Sequence, residues 1–179
     1  MTSRQPVVAL SLRRASIADV PALVVLVESA YRGESSRAGW TTECDLLGGT
    51  RTSDADVTER VVGTGGVMLV AERDGALVGC CHLERHDTLC HFGMFAVTPS
   101  LQGGGTGRAL LAEAERFARA DWACDVMEMH VIDAREELLA WYVRRGYART
   151  GVYEPITEGP VFSPKRSGLR FEVLRKSLG

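Results

Sequence analysis

A chain of 179 residues has the bulk for one domain with a sizeable core, and 45% apolar with 25% charged residues is ordinary globular usage. A net charge of −2 excludes a general electrostatic attraction to nucleic acid or to an anionic membrane surface. The apolar block at residues 7–10 is too short for a signal or a span, so a cytoplasmic protein is expected.

Residues 9–14 read as a first strand, and Ser16 with Asp19 opens an amphipathic helix that runs to about Tyr31. Residues 32–53 are irregular and rich in Gly, Ser, Thr and Glu, and a helix is expected over about 54–63. Val67–Arg73 and Ala76–Glu84 read as strands joined by the hairpin signal Asp74-Gly75. His91–Val97 is a further strand that ends at a glycine-rich turn. From Gly107 to about Trp122 the apolar residues Leu110, Leu111, Ala114, Phe117 and Ala118 recur at helical spacing. Val126–Ile132 is a strand, and Asp133 with Glu136 reads as a capping box for a helix that buries Leu138, Leu139, Tyr142 and Val143 and stops at Gly146. Residues 168–175 form a last strand. No repeat or low-complexity linker interrupts the chain, so residues 1–179 read as a single α/β domain with a mixed central sheet flanked by helices.

The five cysteines, Cys44, Cys80, Cys81, Cys90 and Cys124, include no C-x-x-C pair, and adjacent Cys80 and Cys81 point to opposite faces of one strand. A metal site or a disulfide framework is therefore not expected, and buried reduced thiols are. Cys44 lies in a polar segment and stays open as a thiol lining a pocket.

The most informative stretch is Gln102-Gly103-Gly104-Gly105-Thr106-Gly107-Arg108, between a strand and a helix. Such a turn presents free N–H groups and the positive end of a helix dipole, a natural seat for a phosphate. It is not a P-loop, because no lysine follows the glycines, and it is not a dinucleotide fingerprint. In that fingerprint the third glycine position would be Arg108 or Leu110, depending on register. The glycines could instead serve only a sharp turn, but Arg108 argues for an external anion. A cation in the first helical turn is unfavourable by roughly 0.3–1 kcal/mol, whereas the helix after Ile132 begins with the usual acids, Glu136 and Glu137.

Phe95-x-Val97-x-Pro99 followed by Gln102-x-x-Gly105-x-Gly107 resembles the acyl-CoA signature of the GCN5-related N-acetyltransferase (GNAT) family. Downstream, Trp141-Tyr142-x-Arg144-x-Gly146-Tyr147 is similar to that family's second signature, so the resemblance is most specific within about 67–151. It implies the GNAT fold and acetyl-CoA as co-substrate. It also implies that Phe95 and Val97 lend backbone groups to the pantetheine arm, and that Gln102, Gly103, Gly104, Gly105, Thr106, Gly107 and Arg108 cradle the pyrophosphate. Where the family often has an asparagine that contacts the cofactor arm, this chain has Arg135. Dimers are common in the family, so a homodimer is also open.

Direct acetyl transfer needs a neutral amine, a polarised thioester and a protonated leaving thiolate. Neutralising a lysine-like amine of pKa about 10.4 at pH 7 costs about 4.6 kcal/mol, so a base or water chain is expected. The resemblance makes Tyr142 the general acid; it would also suit a core aromatic. Alternation along the strands leaves His130 and Glu84 as polar residues within apolar runs, hence candidate bases. Within 31–43, Tyr31 and Trp40 with Glu34 or Glu43 are candidates to hold a cationic acceptor, a small amine or a peptide amine. The alternatives are a solvated loop there, and for the chain as a whole a non-catalytic acyl-CoA-binding module or, less well matched, a nucleotide-phosphate binder.

Overall fold

The computed structural model describes residues 9–179, so residues 7 and 8 of the first apolar block lie outside it. In chain order the elements are β1 (Ser11–Arg14), α1 (Val20–Tyr31), β2 (Leu47–Gly48), α2 (Asp54–Val62), β3 (Gly66–Arg73), β4 (Ala76–His86) and β5 (Leu89–Val97). They continue with α3 (Thr106–Ala120), β6 (Val126–Ile132), α4 (Glu136–Val143), β7 (Ala148–Pro155), β8 (Ser163–Pro164) and β9 (Arg170–Ser177). Seven strands form one mixed sheet in the order β1-β3-β4-β5-β6-β9-β7, and β2 pairs with β8 apart from it. This is the α/β architecture expected. No helix among the described residues is long and apolar enough to cross a membrane.

The β3–β4 hairpin turns through Asp74 (φ 54°) and Gly75 (φ 75°), both left-handed as a tight two-residue hairpin requires. Each face of the sheet carries its own core. Leu110, Leu111, Ala114 and Phe117 of α3 and Leu139 and Tyr142 of α4 pack with Leu69, Cys81, Leu83 and Met127 on one face. Leu23, Leu26 and Val27 of α1 and Val57 of α2 pack with Met68, Val70, Cys80 and Met94 on the other.

Two irregularities in β5 set up everything that follows. Its pairing with β6, the sheet's parallel junction, covers only Leu89–His91 against Val126–Glu128; beyond that point the strands lose their ladder. Opposite β4, the register skips from Gly93 to Ala96, and Met94 has φ 43°. This β-bulge holds a non-glycine residue in the left-handed region, a local strain of the kind concentrated at functional sites. It also shifts the side-chain parity. Phe92 and Phe95 lie on the same face, 5.1 Å apart, while Met94 turns into the opposite core.

Several expectations are corrected. The exposed edge strand β7 and the short β2–β8 pair occur where no strand was expected. Val143 is 45% exposed, so it is not part of the α4 core face. Asp133 does not cap α4: the N-cap is Arg135, without a side-chain cap, and the Asp133 carboxylate accepts from Arg170 Nε at 2.8 Å.

Candidate active site

The gap between β5 and β6 opens into two adjoining cavities that share Tyr31, Phe95, Arg135, Leu138 and Tyr142 in their walls. The larger, about 470 Å³, lies over the glycine turn, and Gly103, Gly104, Gly105, Gly107 and Arg108 line it. Gly105, with φ 90°, takes the N-cap position of α3 and has no side chain to bond the first N–H groups. No acid occupies the first turn of that helix, so its amino end is left for an outside acceptor. A Cβ at Gly107 would meet Phe95 Cζ at 3.1 Å, so the turn approaches the aromatic wall closely because no side chain intervenes.

That wall comprises Phe95, Trp141 and Trp40, with ring centroids 6.0 Å (Phe95–Trp141) and 6.5 Å (Trp40–Trp141) apart. Arg145 stacks over Trp141 at 3.5 Å. Burial, and next the charges of Arg144 and Arg108, hold the Arg145 guanidinium below its usual pKa. Among the described residues none of these three arginines has a carboxylate partner. A grouped, uncompensated positive charge at a helix N-terminus suits a polyanion.

The free edge of β5 is partly committed. Thr98 N–H bonds to Val78 of β4, so by alternation the backbone groups of Val97 point to the open edge. There the Val97 carbonyl accepts from Gln102 Nε2 at 3.2 Å, and the Phe95 carbonyl accepts from the Tyr31 hydroxyl at 2.7 Å. The N–H groups of this edge remain for an extended ligand.

Tyr142 is buried, and its hydroxyl has no protein partner among the described residues although the side chain faces both cavities. Burial, and next the neighbouring Tyr31, raise its pKa, so the phenol is protonated throughout the physiological range.

The second cavity, about 280 Å³, is lined by His130, His91, Arg51, Glu43, Phe162 and Phe171 among others. His130 Nε2 lies 3.4 Å from Glu128 and its Nδ1 3.4 Å from Glu154, both within ion-pair reach but not aligned as hydrogen bonds. Its ring meets His91 edge-on at 4.9 Å. Burial, and next His130, push His91 below the ordinary histidine pKa, and its Nε2 is buried without a partner.

The 31–43 segment joins these parts as a braced platform. Glu43, 5% exposed, bridges Arg32 and Arg135, and Arg135 also donates to Thr41 Oγ1 at 2.9 Å. Trp40 N–H donates to Gln102 Oε1 at 3.0 Å.

Several expected site residues lie elsewhere or act otherwise. Gln102 lines the glycine-turn cavity as expected, and its side chain also ties the Trp40 loop to β5. Trp40 belongs to the glycine-turn cavity and not to the second one. The Glu34 side chain is 90% exposed, pairs with Arg37 and lines neither of the two cavities. Glu84 also lines neither; its half-exposed carboxylate lies 3.5 Å from His86. Cys44 is buried beside a separate cavity of about 210 Å³, and all five cysteines are free. Sequence reasoning missed His91, Arg51, Phe162 and Phe171. Of these only His91 carried a signal, as a polar residue within an apolar strand.

Residues 64–149 match the family model of the acetyltransferase (GNAT) domain. No curated protein matches by sequence. Among solved structures, the PaiA N-acetyltransferase of Thermoplasma acidophilum in complex with coenzyme A is similar at TM-score 0.73 and 16% identity, over 94% of this chain and 99% of that one. The ribosomal-protein-S18-alanine N-acetyltransferase of Escherichia coli gives 0.71 at 12% identity, over 96% and 95%. The spermidine/spermine N-acetyltransferase SpeG of Vibrio cholerae gives 0.67 at 14%, over 94% and 92%. The named acceptors of these proteins differ, so the shared fold does not select one. With the splayed strands, the glycine turn on α3 and the matched segment in agreement, residues 64–149 are a GNAT acetyltransferase domain, set in a chain that has the fold of solved N-acetyltransferases.

Proposed function

We propose that this protein transfers the acetyl group of acetyl-CoA directly to the primary amine of a small molecule or peptide. The observation that carries the reading is Tyr142: an unbonded phenol in the wall shared by a polyanion-binding cavity and a second, smaller one. The amino end of α3 with Arg108, Arg144 and Arg145 supplies the charge to hold the pyrophosphate and phosphate of the donor. The open N–H groups of β5 provide an edge for its extended arm.

His130, backed by Glu128 and Glu154, accepts the proton that leaves the attacking amine. The amine nitrogen bonds to the thioester carbon, the C–S bond breaks, and the electron pair leaves on sulfur. Tyr142 donates its phenolic hydrogen to that sulfur. The phenol's raised pKa keeps the donor form present, and the Arg135 charge nearby eases development of the phenolate.

Thiol release from acetyl-CoA with a panel of amines, alongside calorimetric binding of coenzyme A, tests the reading. Turnover with at least one amine is expected. Coenzyme A binding without turnover of any amine would make the chain a non-catalytic acyl-CoA module. Binding of ATP or NAD in its place would make it a nucleotide binder.

A further inference from the structure

The second cavity bears on which amine is acetylated. We propose that the acceptor carries an anionic group, a carboxylate, beside its amine, and that Arg51 with Arg135 holds that group. The proposal rests on the acetyl-transfer reading and deepens it, naming an amino acid rather than a polyamine as the acceptor class.

Arg51 is the first support. Its guanidinium lies over Tyr31 at 4.9 Å and near Phe162 at 5.7 Å, so two aromatic rings hold it by cation–π contact. Its five N–H donors point from the edge of the plane, and among the described residues none meets a protein acceptor. The backbone beneath is fixed: the Glu28 carboxylate accepts the N–H groups of both Arg51 and Thr52. A guanidinium held between two aromatic rings, whose donor fork is unused among the described residues, is arranged to take a planar oxyanion in bidentate fashion.

The balance of charge in the wall is the second support. Arg51 and Arg135 line the cavity with Glu43, whose two oxygens are already engaged, one by Arg135 and the other by Arg32 from outside the wall. The two wall arginines thus have one carboxylate between them, itself shared with a third arginine, and an added anion relieves that excess. An acceptor with several ammonium groups would find no free carboxylate there. The free acidic capacity lies instead at His130, with Glu128 and the half-exposed Glu154 beside it. Glu128 is also bonded to Arg175 at 2.7 Å. The cavity wall therefore presents two arginines and, from β6, His130 with Glu128 and Glu154 behind it, a match for a zwitterion. Its volume of about 280 Å³ suits a small molecule.

The test compares L-amino acids with their own carboxamides, and with putrescine and spermidine, by thiol release from acetyl-CoA. Amino acids should exceed their carboxamides in kcat/KM by about tenfold or more, the scale of one charge-assisted bidentate contact. Arg51→Gln should raise KM for the amino acid and bring the acid-to-amide ratio toward one, and Arg51→Lys should restore part of that ratio. Coenzyme A calorimetry on each variant reports its folding, and the wild-type ratio stands by itself if a variant fails to fold. Turnover of amides or polyamines as good as that of acids, or a ratio unchanged in Arg51→Gln, overturns the anion pocket while the transferase reading survives. Calorimetric binding of amino acids to the coenzyme A complex without thiol release supports the pocket and overturns transfer. Neither binding nor turnover of any amine overturns both.

Discussion

Tyr142 has a hydroxyl that is unbonded among the described residues, so its removal separates chemistry from stability. Tyr142→Phe deletes a donor that no acceptor among the described residues uses, and the ring's packing against Trp141, Tyr147 and Phe95 stays. We expect kcat to fall by about 10²–10⁴, with coenzyme A affinity and urea midpoint near wild type; an unchanged kcat would remove Tyr142 from the reaction. This residue was legible in the sequence because its neighbours form a short, ordered motif. The acidic partner in 31–43 was not. Glu34 and Glu43 sit in the same irregular stretch, and only the folded path shows one in solvent and the other braced by two arginines. Arg51 was invisible for the same reason: a loop cation becomes a site residue when distant Phe162 and Tyr31 close around it.

Among the elements, α3 shows stability and function pulling apart at one end of a helix. An acid in its first turn would favour the helix by roughly 0.3–1 kcal/mol, and the chain has Arg108 instead. Arg108→Glu should therefore leave the melting temperature equal or higher while raising the KM for acetyl-CoA about tenfold or more. A variant that lost stability and kept its KM would show that Arg108 serves the fold. The α3 stripe was readable because Leu110, Leu111, Ala114, Phe117 and Ala118 all face one core. The edge strand β7 was not, since every one of its residues is exposed and no alternation marks it. Nor does any residue type announce the bulge at Met94; it follows from the register that β4 and the splayed edge impose together.

For the whole molecule, the sheet separates two cores, and the one beneath α1 and α2 has its own titratable member. His82 is 6% exposed, and its Nδ1 accepts from Arg60 Nη1 at 3.2 Å. Burial, and next the Arg60 charge, push its pKa down to about 4 from 6.5. The folded state thus prefers neutral His82, and the unfolded chain binds the extra proton between those values. Its contribution is complete above about pH 6.5 and is lost as the pH falls toward 4, on the order of 3 kcal/mol in all. Urea unfolding across that window should show stability rising with pH more steeply in wild type than in His82→Gln. The partly buried His91 adds a slope of the same sign to both. Equal slopes would mean that His82 is not held neutral by the fold.

The shared wall between the two cavities also bears on how such a protein can change over time. Tyr31, Phe95, Arg135, Leu138 and Tyr142 belong to both, so a substitution at any of them alters both cavities at once. Arg51, Phe162 and Phe171 touch only the smaller cavity, and Arg51 and Phe162 come from loops outside the main sheet. In the transferase we propose, acceptor choice can therefore drift at a few peripheral positions while the machinery for the acyl donor is left intact. Under that proposal the division of the cleft makes specificity the evolvable part of the molecule and donor recognition the fixed part.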